Sequence, residues 1–118
     1  MTQVLIVDDS TVSRIMVQQI MEANHPEWEL HLAANSDEAI ELTREMDTLD
    51  VAILDYNMPG RNGIDLGIQL QDEMGCKHIA LLTANIQDSI KNKAKTAGFH
   101  FINKPIEESL ITQFTKAI

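Results

Sequence analysis

Five short apolar runs, each followed by a longer amphipathic stretch, recur from one end of this 118-residue chain to the other. Few folds accommodate that alternation. Gln3 to Val7 reads as a buried strand, and Ser10 or Thr11 can cap a helix whose apolar face is expected at Val12, Ile15, Met16 and Ile20. Asn24-His25-Pro26-Glu27 ends that helix, because proline cannot continue it and restrains the residue before it. Glu29 to Ala33 alternates Leu30 and Leu32 with polar residues, as a half-covered or edge strand would. Asn35 or Ser36 opens a second helix with Asp37 and Glu38 in its first turn, where the helix dipole favours negative charge; Ala39, Ile40 and Met46 supply its apolar side. Val51 to Leu54 is the third apolar run, followed by the turn-rich segment from Asn57 to Gly63. Ile64, Leu66, Ile68, Leu70 and Met74 mark a third helix stopped by Gly75, and Ile79 to Leu82 a fourth strand. A lysine-rich helix from Ile86 to Ala97 ends at Gly98, a C-cap; Phe99 to Ile102 is a fifth strand and Glu107 to Ala117 a last helix. Such regular alternation implies an α/β domain over residues 1–118, a parallel sheet with helices on both faces.

Composition narrows the function. Hydrophobic residues make up 44% of the chain and aromatics only 4%, so the core is built mainly from Leu, Ile, Val, Ala and Met. A formal net charge of −9 repels phosphate backbones and anionic lipid, so neither nucleic acid nor membrane is an expected partner. Cys76 is the only cysteine, which rules out an intrachain disulfide and fits a reducing cytoplasm; inert burial is expected of it. No stretch has the length of a membrane span, and the N-terminus enters an apolar run without a basic leader.

In parallel α/β sheets ligands bind at the carboxyl ends of the strands. There this chain has Asp8 and Asp9 after strand 1, Asp55 and then Asn57 after strand 3, Thr83 at the end of strand 4, and Lys104 just before Pro105 after strand 5. Three carboxylates on one rim repel one another unless positive charge sits among them. Lys104 supplies one charge, and a hard divalent cation such as Mg²⁺, which takes oxygen ligands and keeps several waters, would supply two more.

Val7-Asp8-Asp9-Ser10, Leu54-Asp55-Tyr56-Asn57-Met58-Pro59-Gly60, Thr83-Ala84 and Lys104-Pro105 together resemble the motif series of response-regulator receiver domains of the CheY-like kind, in order and spacing across essentially the whole chain. The resemblance implies a flavodoxin-like (βα)5 fold with strand order 2-1-3-4-5. It implies two-component signalling, with Asp55 accepting phosphoryl from a sensor histidine kinase or a histidine phosphotransfer protein. Asp9 would bind Mg²⁺ directly, Asp8 through metal-bound water, and Asp55 and the backbone carbonyl of Asn57 would complete the protein ligands. Thr83 and Lys104 would meet the transferred oxygens, and the Lys104–Pro105 peptide bond is expected to be cis. Such a protein is not a conventional enzyme; it catalyses its own phosphorylation and dephosphorylation.

The resemblance also makes Phe101 the switch aromatic, turning inward as Thr83 moves toward the phosphoryl group, with small Ala84 leaving access to the site. The surface of helix 4, strand 5 and helix 5 would then select a downstream target protein. Asn57 and Asn85 would tune hydrolysis by positioning or blocking water, since neither is a strong base. Lys91, Lys93 and Lys95 read as a solvated face or as a patch for an acidic partner. Tyr56 reads as a packing residue and Trp28 as a loop anchor, and the four histidines lack ligand spacing. A dehalogenase-type phosphatase would want an aspartate where Asn57 stands, and a flavodoxin would want a phosphate loop where Asp8-Asp9 stands. The start methionine and the final helix near Ile118 fit a stand-alone regulator without an output domain.

Overall fold

Continuous apolar runs such as Val4 to Val7 and Val51 to Leu54 can be strands only if both faces are covered, because side chains alternate between the faces. That is their environment in the computed structural model, which describes residues 1–85, 87–116 and 118. The elements run β1 (Gln3–Val7), α1 (Thr11–Asn24), β2 (Glu29–Ala33), α2 (Ser36–Arg44), β3 (Val51–Asp55), α3 (Gly63–Met74), β4 (His78–Thr83), α4 (Asp88–Ala97), β5 (His100–Asn103) and α5 (Glu108–Lys116). The five strands form one sheet in the order β2-β1-β3-β4-β5, and every neighbouring pair is parallel. This is the flavodoxin-like fold that the motif series implied.

Alternation divides each strand between two cores. Leu5, Val7, Ala52, Leu54 and Leu81 pack with Ala39 of α2, Leu66 and Leu70 of α3, and Ile90 and Ala94 of α4. Val4, Ile6, Val51, Ile53, Leu82 and Ile102 pack on the other side with Val17 and Met21 of α1 and Ile111 and Phe114 of α5. Ser10 caps α1, its side chain accepting from Ser13 N–H, and Asn35 and Asn62 cap α2 and α3 in the same way. Gly75 and Gly98 close α3 and α4 with φ of 64° and 83°, a left-handed backbone that glycine adopts without steric cost.

Helix α1 departs from expectation. Val12, Ile15 and Met16 are 69%, 43% and 39% exposed, while Val17 and Met21 are fully buried. Of the four residues expected to face the core, only Ile20 packs against it, and then partly. Two apolar stripes share this helix, and the one that meets α5 and the sheet wins. Ile68 of α3 likewise points outward, at 41% exposure. β5 begins one residue later than expected because Phe99 N–H closes α4 by donating to Ala94 O at 2.8 Å. The predicted starts and ends of the last two helices include Ile86 and Ala117, which lie outside the described residues.

Among the described residues no helix is long and apolar enough to cross a membrane. Cys76 is buried, and burial pushes its thiol up to about 12, which suppresses the reactive thiolate. Trp28 packs against the second core and stacks on His25 with ring centroids 3.7 Å apart, so it does anchor its loop.

Candidate functional site

β3 and β4 each run one residue beyond their apolar stretch, so Asp55 and Thr83 are the last residues of two adjacent strands. Asp8 follows β1 directly, its N–H still bonded to Ala33 O of β2 at 3.1 Å. Oxygens of Asp8, Asp9 and Asp55 lie within 4.8 Å of one another. Asp8 is fully buried and Asp55 is 3% exposed, whereas Asp9 faces solvent. The carboxylates therefore form a graded site, two groups at the floor and one at the mouth.

Lys104 crosses from the end of β5 to this floor. Its Nζ lies 3.1 Å from Asp8 Oδ2 and 3.2 Å from Asp55 Oδ1. The Lys104–Pro105 bond is cis, and Lys104 N–H donates to Thr83 O at 3.0 Å, which ties the lysine to the end of β4. Burial works against the ammonium charge, but Asp55 and Asp8 outweigh it and raise the Lys104 pKa above its ordinary value. Asp55 moves further: burial first, and then the charge of Asp8, push its carboxyl up to about 7, although Lys104 pulls the other way. One lysine does not compensate three carboxylates.

The donor set fits a hard divalent cation. It offers only oxygen, at the spacing of a shared ion. Asp8 Oδ2 is buried, and the Lys104 ammonium meets it at 3.1 Å.

Thr83 is 2% exposed, and its Oγ1 accepts the N–H of Asn85 at 2.9 Å. That bond occupies a lone pair and leaves the hydroxyl proton for another acceptor. Asn85 Oδ1 in turn accepts from Gln87 N–H at 3.0 Å, and Asn57 is exposed beside Asp55. Phe101 is half-buried against the first core, and Lys91 Nζ stands 5.8 Å from its ring centroid. Tyr56 packs against the same core. His78 and His100 border a shallow cavity of about 290 Å³ that Asp8, Asp9 and Asp55 do not line.

Two residues at this site escaped sequence reasoning. A Cβ on Gly63 would stand 2.3 Å from Asp55 O and 2.9 Å from Leu81 Cδ1, so only glycine lets α3 start against the back of Asp55. The Asn62-Gly63 pair was visible, but only as turn chemistry. Arg14 Nη1 donates to Asp8 O at 2.6 Å; its one signal was a basic residue inside an apolar helical stretch.

Comparison with known proteins agrees with this fold. The sequence profile of the response regulator receiver domain matches residues 4–116. The chain is 34% identical over 108 residues to the chemotaxis protein CheY of Halobacterium salinarum, covering 90% of this chain and 87% of that protein. It is 30% identical over 119 residues to the glycerol metabolism activator of Pseudomonas putida, of which it spans only 54%. Among solved structures, the Vibrio cholerae chemotaxis protein CheY4 superposes with a TM-score of 0.85 at 26% identity, covering 100% of this chain and 98% of that one. The chain thus belongs to the family of response regulator receiver domains.

Proposed function

We propose that residues 1–118 form one cytoplasmic receiver unit that takes phosphoryl onto Asp55 in the presence of Mg²⁺, from the phosphohistidine of a sensor histidine kinase or a histidine phosphotransfer protein. The observation that carries this reading is the meeting of Asp55 Oδ1 with the Lys104 ammonium at 3.2 Å, at the floor of the acidic rim. Asp55 Oδ1 or Oδ2 forms the new bond to phosphorus as the phosphorus–nitrogen bond breaks. The electron pair leaves with the imidazole nitrogen, which takes up a proton.

Transfer to a carboxylate needs neutralised charge and fixed positions more than covalent help. Asp8, Asp9, Asp55 and the Asn57 carbonyl would hold Mg²⁺, which supplies positive charge opposite the phosphoryl oxygens and favours the ionised form of Asp55. Lys104 pairs with one phosphoryl oxygen, and the Thr83 hydroxyl donates to another. Asn57 and Asn85 flank the acyl phosphate and set how easily water reaches it, so the chain promotes its own loss of phosphate without turning over an external substrate.

The readout proposed here runs through Thr83 and Phe101. Movement of Thr83 toward the phosphoryl group frees space into which Phe101 turns, which reshapes the α4–β5–α5 surface for a downstream protein. The exposed Lys91, Lys93 and Lys95 give that surface positive charge for an acidic partner segment.

Phosphotransfer from a panel of histidine kinases tests the reading, with Asp55→Asn as the control. Labelling of the native chain that disappears in the variant is the expected result. Labelling that persists in the variant excludes Asp55 as the acceptor.

A further inference from the structure

Asp9 is exposed, and the side-chain contact of its carboxyl is with Asp55, a like-charged group when both are ionised. Two like charges do not hold each other in place, so the direction in which the Asp9 side chain leaves the chain is set by the peptide unit joining Asp8 to Asp9. Asp8 is fixed on several sides: its N–H donates to Ala33 O at 3.1 Å, and its Oδ1 accepts from Ser10 N–H at 2.9 Å. The carbonyl of the same residue has left the sheet, and it accepts from Arg14 Nη1 at 2.6 Å. Arg14 is itself part of α1, where its own N–H donates to Ser10 O at 2.9 Å.

We infer that Arg14 is a positioning residue for metal binding: its guanidinium clamps the Asp8–Asp9 peptide unit and so aims Asp9 into the site. The inference rests on the reading of Asp9 as a metal ligand. A charge-assisted bond to a carbonyl is short and directional, so it restrains the peptide plane better than a neutral donor could. Groups that orient a ligand without touching the metal commonly matter to affinity on the order of tenfold or more.

The sign of the effect separates positioning from charge. A guanidinium near a cation site repels the cation, so loss of that charge alone would tighten Mg²⁺ binding. Loss of the clamp lets Asp9 swing and weakens it. Arg14→Met removes the charge and the donor while keeping an apolar stem of similar length; Arg14→Lys keeps the charge with a single-point donor in place of the planar fork.

Mg²⁺ titration by calorimetry on the native chain, both variants and Asp9→Asn decides between them, alongside the NMR order parameter of the Asp9 amide in chelator-treated protein. Binding weakened about tenfold in Arg14→Met and by less in Arg14→Lys, with a lowered Asp9 order parameter, is the expected result. Unchanged or tighter binding in Arg14→Met overturns the inference, as does a lower melting temperature with unaltered Mg²⁺ affinity. If Arg14→Met does not fold, Arg14→Lys decides alone: weaker binding supports the clamp, and native affinity refutes it. If Asp9→Asn binds Mg²⁺ as the native chain does, the metal-ligand reading has failed. The order parameter of Asp9 then still decides whether Arg14 holds the peptide, with a native value in Arg14→Met refuting it.

Discussion

Lys104 Nζ lies 3.2 Å from Asp55 Oδ1, and Asp8 Oδ2 flanks the same ammonium at 3.1 Å. A single cation thus serves two buried carboxylates, with Asp9 a third at the mouth. Much of the chain's behaviour follows from that shortfall.

Asp55 makes metal-free stability depend on pH. Its carboxyl sits at about 7 in the folded chain, against an ordinary 3.8, because of burial and the charge of Asp8. Between those values the folded state keeps a proton that the unfolded state releases, so stability falls as pH rises, and the full penalty is present above about pH 7. In chelator, Asp55→Asn should exceed the native chain in stability by on the order of 2 kcal/mol at alkaline pH, with the two converging near pH 4. Urea denaturation across that range measures it; a gap independent of pH would contradict the assignment.

Gly63 carries the close packing of α3 against Asp55. Gly63→Ala places a methyl 2.3 Å from Asp55 O, where backbone must yield, and is expected to cost about 1–3 kcal/mol and to slow phosphoryl acceptance at Asp55. Gly60, with φ of 82° and no heavy atom near its missing Cβ, offers a contrast. Gly60→Ala should cost roughly 1 kcal/mol through backbone conformation alone, without displacing Asp55. Thermal melts and labelling rates of the pair check this.

The two faces of α1 give a third test. Ile15 is 43% exposed and Met21 is fully buried. Ile15→Ser should change stability by less than about 0.5 kcal/mol, whereas Met21→Ala should cost roughly 2–5 kcal/mol. Comparable losses at the two positions would restore the helix face expected from sequence.

Phe101, half-buried beside Lys91, should matter to output and not to chemistry. Phe101→Ala is expected to leave Asp55 labelling within about twofold of native, since it removes no charge from the site, while abolishing phosphorylation-dependent capture of a cognate target. Capture that survives in the variant removes Phe101 from the switch.

What the sequence disclosed and withheld has a physical pattern. The strands and their polar termini were legible because strand burial leaves a local trace: an apolar run interrupted at Asp8, Asp55 and Thr83 where the sheet ends. Strand order was legible only through resemblance, since periodicity carries no information on which strands pair. The α1 face was misread because Val12, Ile15 and Met16 and the pair Val17 and Met21 both fit a helical repeat. Only packing against α5 and the sheet decides between them. Gly63 and Arg14 act through backbone oxygens of Asp55 and Asp8, and a backbone oxygen looks the same in every sequence.

The central claim is that Asp55 is the phosphoacceptor. Incubation with a small-molecule phosphodonor and Mg²⁺, followed by peptide mass mapping, tests it without any partner protein. A single hydroxylamine-labile phosphoryl group on the peptide containing Asp55, lost on chelation of Mg²⁺ and absent from Asp55→Asn, is the predicted result. A phosphoryl group on any other residue, or labelling indifferent to Mg²⁺, would contradict it.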